Sequence, residues 1–123
     1  NAQILNKYLS SINTISIPTV NKNTTHAFYR YVVTLNFKYI KKNKDIIKII
    51  KAIQKNNIYC NVGGCPEIYN EKIFRKQNLN IKLNKAKYFS DKTISLLVDH
   101  TITETNMHII GRKLQKIFKD ICI

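Results

Sequence analysis

Apolar and polar residues alternate most regularly between Ala27 and Phe37, where Tyr29, Tyr31, Val33, Leu35 and Phe37 share one face and Phe28, Arg30, Val32, Thr34 and Asn36 the other. A period of two with β-branched and aromatic residues predicts a strand, half covered because its second face turns polar. The period then lengthens. Ile46, Ile49, Ile50 and Ile53 form a stripe widened by Ile47, with Lys44, Lys48, Lys51 and Lys55 opposite, so a helix is predicted from a cap at Asn43 to Asn56, with Asp45 in its first turn. Asn56-Asn57 supplies the stop, since Asn tolerates the left-handed conformation. The last helix starts at a Thr103 cap with Glu104 in its first turn and carries the stripe Met107, Ile110, Leu114, Ile117, Phe118 and Ile121. Gly111 within that stripe implies close packing, because glycine otherwise weakens a helix. Ala2 to Leu9 is helical by spacing, without an N-cap signal before it, as in a helix cut part-way.

The remaining segments are shorter. Ile15 to Val20 around Pro18 reads as an extended connector, Asn21 to Thr25 as a polar turn, and Lys38 to Asn43 as a basic turn. Ile58 to Val62 and Thr93 to Val98 read as strands, the second one buried. Glu67 to Arg75 reads as a short helix and Gln77 to Asn80 as a turn. Leu83 to Lys92 reads as a helix turning Leu83, Ala86 and either Lys87 or Phe89 inward. The order predicts an α/β (α+β) two-layer domain of about three strands with helices on one face. One sheet face and the stripe of Ala2, Leu5 and Leu9 are then left as apolar surface for another body to cover.

Composition changes this picture little. The 123 residues suffice for one domain, and 44% hydrophobic residues with 3 Gly and 2 Pro argue against wholesale disorder. No apolar run approaches the ~18 residues of a membrane span, and no secretory signal is present, so a cytoplasmic protein without membrane contact is expected. Three cysteines without such a signal point to free thiols in a reducing compartment. Their spacing and the dispersed His26, His100 and His108 do not suggest a metal site. The balance of 21 basic against 7 acidic residues gives a net charge of +14, which raises a basic nucleic-acid-binding or regulatory module as an alternative. Lysine is scattered over almost every segment, however, so no specific nucleic acid is expected. The first residue is Asn1 rather than Met, and a piece of something longer is the favoured reading.

The chain is organised around Asn61-Val62-Gly63-Gly64-Cys65-Pro66-Glu67-Ile68-Tyr69. Two glycines and a proline stop any regular element there, and the residues after them set polar tips and an aromatic at a fixed place on the surface. Together with Asn1-Ala2-Gln3-Ile4-Leu5, Ile15-Ser16-Ile17-Pro18, His26-Ala27-Phe28-Tyr29-Arg30-Tyr31-Val32-Val33, Glu71-Lys72-Ile73-Phe74, Leu83-Asn84-Lys85-Ala86-Lys87, Ser95-Leu96-Leu97-Val98 and Thr101-Ile102-Thr103, it resembles the C-terminal part of a DegT/DnrJ/StrS-type sugar-nucleotide aminotransferase. The resemblance runs over nearly the whole chain in the right order. It is nearest to members that aminate a nucleotide-linked 4-keto-6-deoxy sugar.

That resemblance implies the small C-terminal domain of a fold type I pyridoxal-phosphate (PLP) enzyme, with residues 1–11 as the tail of an inter-domain helix and 12–123 as the domain. It implies a homodimer, a nucleotide-sugar substrate, glutamate as amino donor, and a separate N-terminal large domain that holds the Schiff-base lysine. No lysine here sits in a matching motif, so PLP is not expected on this chain, no catalytic residue is assigned, and the domain alone is expected to be inactive. Substrate-side candidates are Gly64, Cys65, Glu67, Tyr69, His26 and Arg30. Glu67 and Tyr69 fit hydrogen bonding to sugar hydroxyls or to the loop itself, against plain roles as a helix-start carboxylate and an aromatic lid. His26 and Arg30 fit contact with an anionic substrate or the large domain, against a strand-start polar group and a snorkelling side chain. Cys65 stands where some members carry a histidine, and His100 is displaced by one position from a histidine common among relatives.

Overall fold

A computed structural model describes residues 1–64, 67–75 and 83–123, with the side chain of Arg75 left aside. Four strands, β1 (Ile15–Ser16), β2 (Tyr31–Leu35), β3 (Cys60–Val62) and β4 (Thr93–Leu96), form one sheet in the order β1-β2-β4-β3. Every pairing is antiparallel, with Tyr31 opposite Leu96, Leu96 opposite Cys60, and Ile15 opposite Leu35. The helices are α1 (Ala2–Leu9), α2 (Ile46–Lys55), α3 (Lys72–Arg75), α4 (Asn84–Ser90) and α5 (Glu104–Asp120), with single 3-10 turns at Phe37–Tyr39 and Ile68–Asn70. The α/β two-layer class predicted by the sequence stands. Among the described residues the strand count becomes four, because the first two residues of the extended connector pair with the edge of β2.

Alternation sorts the sheet into two faces. Tyr31, Val33 and Leu35 of β2, Ile94 and Leu96 of β4, and Cys60 of β3 are buried in one core with Leu5 and Leu9 of α1, Ile49 and Ile53 of α2, and Met107, Leu114 and Phe118 of α5. Residues one step along each strand form the opposite face: Ser16, Val32, Thr34, Asn61, Thr93 and Ser95, all half-buried or exposed. Helix α2 connects β2 to β3, yet β4 lies between those two strands. The chain thus makes a split β-α-β unit, closed by the last strand and covered by α5.

Several expectations are corrected. The strand predicted from Ala27 begins only at Tyr31, since Phe28 adopts φ +48° and turns Tyr29 out to 85% exposure. The stripe of α1 is not left open: Ala2, Ile4, Leu5 and Leu9 are buried against α5. The helix predicted from an Asn43 cap starts instead at Asp45, whose carboxylate accepts from the Lys48 amide at 2.8 Å. That contact, with Lys48 the main cause, holds the Asp45 carboxyl below the usual range. In the 83–92 segment, Leu83, Lys87 and Phe89 are exposed and Ala86 half-buried, so the predicted inward face is not formed. The predicted 67–75 helix is broken into the 3-10 turn and the short α3. The expected turn at Gln77 to Asn80 lies outside the described residues.

Other expectations hold. Thr103 caps α5, accepting from the Asn106 amide at 3.3 Å. Asn57 takes φ +60° at the end of α2. Gly111 is the close-packing point the sequence indicated, since a Cβ built there would lie 2.3 Å from Cδ2 of Tyr8.

Candidate functional site

The glycine loop leaves the sheet at the end of β3. The Gly63 amide donates to the Thr93 carbonyl at 2.8 Å, and a Cβ at Gly63 would lie 2.2 Å from Oγ1 of Thr93. Only a residue without a side chain lets the strand pass so close to its neighbour. Gly64 follows at φ +144°, a conformation that L side chains rarely adopt. Cys65 and Pro66 lie outside the described residues. Beyond them, the Tyr69 hydroxyl donates to Oε1 of Glu67 at 2.6 Å, and both side chains are half-buried. The hydrogen bond to Glu67 raises the phenol pKa of Tyr69, with burial and the Glu67 charge acting in the same direction and the Leu83 amide opposing them. A carboxylate bridged to a phenol in this way is a directional pair. It offers one acceptor oxygen on Glu67 and the phenol lone pair not taken by the Leu83 amide to a polyhydroxyl partner.

His26 is placed elsewhere. Its Nδ1 accepts from the Phe28 amide at 2.8 Å, so the neutral ring carries its proton on Nε2. The ring lies 4.2 Å from that of Phe28, which in turn stacks at 6.0 Å on Tyr31. His26 and Phe28 line a cavity of about 520 Å³ with Asn1, Asn6, Thr24 and Val98. Asn6, part of that lining, accepts on Oδ1 from the Tyr31 hydroxyl at 2.6 Å. Burial pushes the Tyr31 phenol up to about 12.

Arg30 is half-buried, one residue before β2, in register with the outer sheet face. Its guanidinium lies 5.3 Å from the ring of Tyr29 and 5.9 Å from that of Tyr59. Asn61 donates to the Tyr59 hydroxyl at 3.0 Å. Nearby Asp99 accepts from the amide and hydroxyl of Thr101. Those bonds are the main reason its carboxyl stays below the usual range, with His100 and Arg30 adding smaller pulls.

The candidate residues therefore fall into two groups at opposite ends of the sheet. His26 and Arg30 sit where β2 starts and β4 ends, while Gly64, Glu67 and Tyr69 follow the end of β3 beside the start of β4. Three strand residues separate the ends, about 10 Å. Sequence reasoning missed Tyr59, Asn61 and Thr93. The first two share with Gly63 one period-two face of the strand predicted over 58–62, and nothing in the sequence marks that face as more than an outer strand face.

The residues present do not fit a PLP site by themselves. No lysine among the described residues is buried, and the cavity beside His26 is lined by no lysine. A Schiff-base lysine is activated in an enclosed, desolvated pocket. Among the described residues, no helix is long and apolar enough to cross a membrane.

The profile of the DegT/DnrJ/EryC1/StrS aminotransferase family matches residues 1–115. No curated protein matches the sequence. Among solved structures, an aminotransferase from Psychrobacter cryohalolentis superposes with a TM-score of 0.87 at 23% identity, covering 98% of this chain and 33% of that one. PseC of Helicobacter pylori, an aminotransferase involved in the biosynthesis of pseudoaminic acid, gives 0.80 at 16% identity over 97% of this chain and 31% of that one. A putative sugar aminotransferase from Streptococcus pneumoniae, in its PLP form, gives 0.77 at 13% identity over 98% and 30%. The chain thus spans about a third of the length of these structures, and they share its fold.

Proposed function

Because the chain belongs to the DegT/DnrJ/EryC1/StrS aminotransferase family, we propose that it forms the substrate-side, C-terminal part of a cytoplasmic, homodimeric sugar-nucleotide aminotransferase. The observation that supports this reading is the family match over nearly all of a chain that spans only a third of its structural neighbours. In this proposal residues 1–11 continue an inter-domain helix and residues 12–123 form the small domain. The amino group comes from glutamate and goes to a nucleotide-linked 4-keto-6-deoxy sugar. PLP, held by the larger part of the enzyme, would carry the amino group and act as the electron sink.

The contribution of this chain is positioning. The Glu67–Tyr69 pair, held beyond the close Gly63–Thr93 contact, would accept from sugar hydroxyls and fix the ring in one orientation. Arg30 has its guanidinium flanked by two tyrosine rings and would meet the negative charge of the substrate. His26 and Cys65 are substrate-side positions in the same proposal. The chain by itself does not transaminate.

The test joins this chain to the larger part of the enzyme and follows amino transfer from glutamate to a 4-keto-6-deoxy nucleotide sugar. Activity is expected from the joined protein and none from the 123-residue chain. Tyr69→Phe in the joined protein is expected to raise KM for the sugar nucleotide more than it lowers the rate with glutamate. A joined protein that takes up PLP and reacts with glutamate but with no keto-sugar would refute the substrate assignment. A stoichiometric PLP adduct on the isolated chain, trapped by borohydride at one lysine, would refute the division of labour.

A further inference from the structure

A groove of about 400 Å³ lies between residues 57–59 ahead of β3, the residues after β4 and the first half of α5. Its apolar wall is Ile58, Leu97, Ile102, Ile109 and Ile110. Leu97, Ile102 and Ile110 are only half-buried, so part of this wall faces water in the free chain. Tyr59, 57% exposed, stands as a flat aromatic flank. Among the described residues, the single charged side chain lining the groove is Lys113. Its ammonium is tethered, donating to the Asn56 carbonyl at 3.2 Å. One bond to a carbonyl leaves two of its three N–H donors for another partner.

A cleft of this size with a mainly apolar lining and a few placed polar groups has the anatomy of a small-molecule site. The chemistry of its lining selects the class of occupant. Five aliphatic side chains and a tyrosine ring favour a flat, apolar body. One tethered cation, with no carboxylate among the lining residues, favours a single negative charge at one end of that body. The net charge of +14 adds long-range attraction for an anion and opposes a second copy of the same chain. We propose that this groove binds aromatic carboxylates, the ring against Leu97 and Tyr59 and the carboxylate on Lys113. Nothing in this assignment depends on the aminotransferase reading.

The experiment is an amide-resolved NMR titration of the 123-residue chain with 2-naphthoate and, separately, with the uncharged 2-naphthalenemethanol. Saturable shifts are expected at residues 57–59, 97, 101–102 and 106–113, with a Kd on the order of 1 mM or tighter for the carboxylate. Lys113→Gln, a change at an exposed side chain, is expected to weaken 2-naphthoate about fivefold and leave the alcohol unchanged. Lys51→Gln, on the exposed side of α2, should change neither. The proposal is overturned if no saturable shift occurs, if shifts scatter over other surface lysines, or if 2-naphthoate binds the Lys113→Gln chain as tightly as the original. Concentration-dependent line broadening at the same residues without added compound would assign the groove to self-association instead.

Discussion

Replacing Gly111 by Ala sets two effects of opposite sign against each other. Ala is favoured over Gly inside a helix by about 0.8–1.0 kcal/mol, and position 111 lies mid-way along α5. The new methyl group, however, would sit 2.3 Å from Cδ2 and 2.9 Å from both Cγ and Cε2 of Tyr8. These are atoms near the root of the ring, so rotating the far end of the side chain does not relieve the overlap. Either α1 and α5 move apart or Tyr8 leaves its place, giving up the 2.9 Å hydrogen bond between its hydroxyl and Nδ1 of His108. Overpacking of this kind costs about 1–3 kcal/mol and a hydrogen bond about 1 kcal/mol. Gly111→Ala should therefore lower stability by about 1 kcal/mol net, or about 3–5 °C in Tm. In a Tyr8→Ala background the obstacle is gone and only helix propensity remains. There the same substitution should stabilise by about 0.5–1 kcal/mol. Urea unfolding of the four proteins of this cycle measures a coupling of about 2 kcal/mol. Additive effects, or a single Gly111→Ala chain more stable than the original, would show that α1 does not pack on α5 through this contact.

Four further outcomes are expected. Tyr31 is neutral when folded up to about pH 12 but ionises near pH 10 when unfolded, so its contribution is intact below pH 10 and is lost as pH rises from 10 to 12; thermal unfolding across that range should fall more steeply for the original chain than for Tyr31→Phe. Gly63→Ala should destabilise by about 1–3 kcal/mol through contact with Thr93, and Thr93→Gly should relieve most of that loss in denaturant unfolding. Thr103→Ala removes the cap of α5 and should cost about 1 kcal/mol by the same measurement. DNA binding, read by fluorescence anisotropy, should be weak, steeply salt-dependent and indifferent to sequence; nanomolar affinity for one sequence at physiological salt would contradict the dispersed-charge reading.

What the sequence carried best was periodicity over long elements. The stripe of α5 and the cap at Thr103 were legible because seventeen residues repeat the pattern with a start signal in front. The alternation around Val33 was equally legible, but its start was not. Nothing in His26-Ala27-Phe28 announces that the His26 ring will accept the Phe28 amide and hold Phe28 at φ +48°, which breaks the alternation before Tyr31. β1 was illegible as a strand because two residues carry no period; its pairing with Leu35 and Thr34 is decided by the sheet rather than by local preference. In the candidate site, the glycines of the loop were legible and their reason was not. The need for Gly63 comes from Thr93, thirty residues away in the chain, and spacing alone cannot show that contact.

The buried stripe of α1 bears on how the proposed whole enzyme would be assembled. Had Leu5 and Leu9 faced outward, this chain would need a permanent apolar partner. Instead both are fully buried against α5, and Nδ2 of the Asn1 side chain donates to the Asp99 and Ile102 carbonyls, tying the start of α1 to the segment after β4. The face opposite the core carries, among the described residues, Ser16, Thr34, Asn61, Thr93 and Ser95 around Val32, with Arg30 and Tyr59 at one end. Hydroxyls and amides of this kind are hydrated without penalty, so the face is stable in water. A larger domain that met it would form a polar contact, of the sort that opens and closes, rather than a fused core. A small domain with its own closed core and a wettable sheet face can change its distance from the rest of an enzyme without unfolding. In the proposed enzyme, Glu67 and Tyr69 would use that freedom to admit a substrate and then fix it.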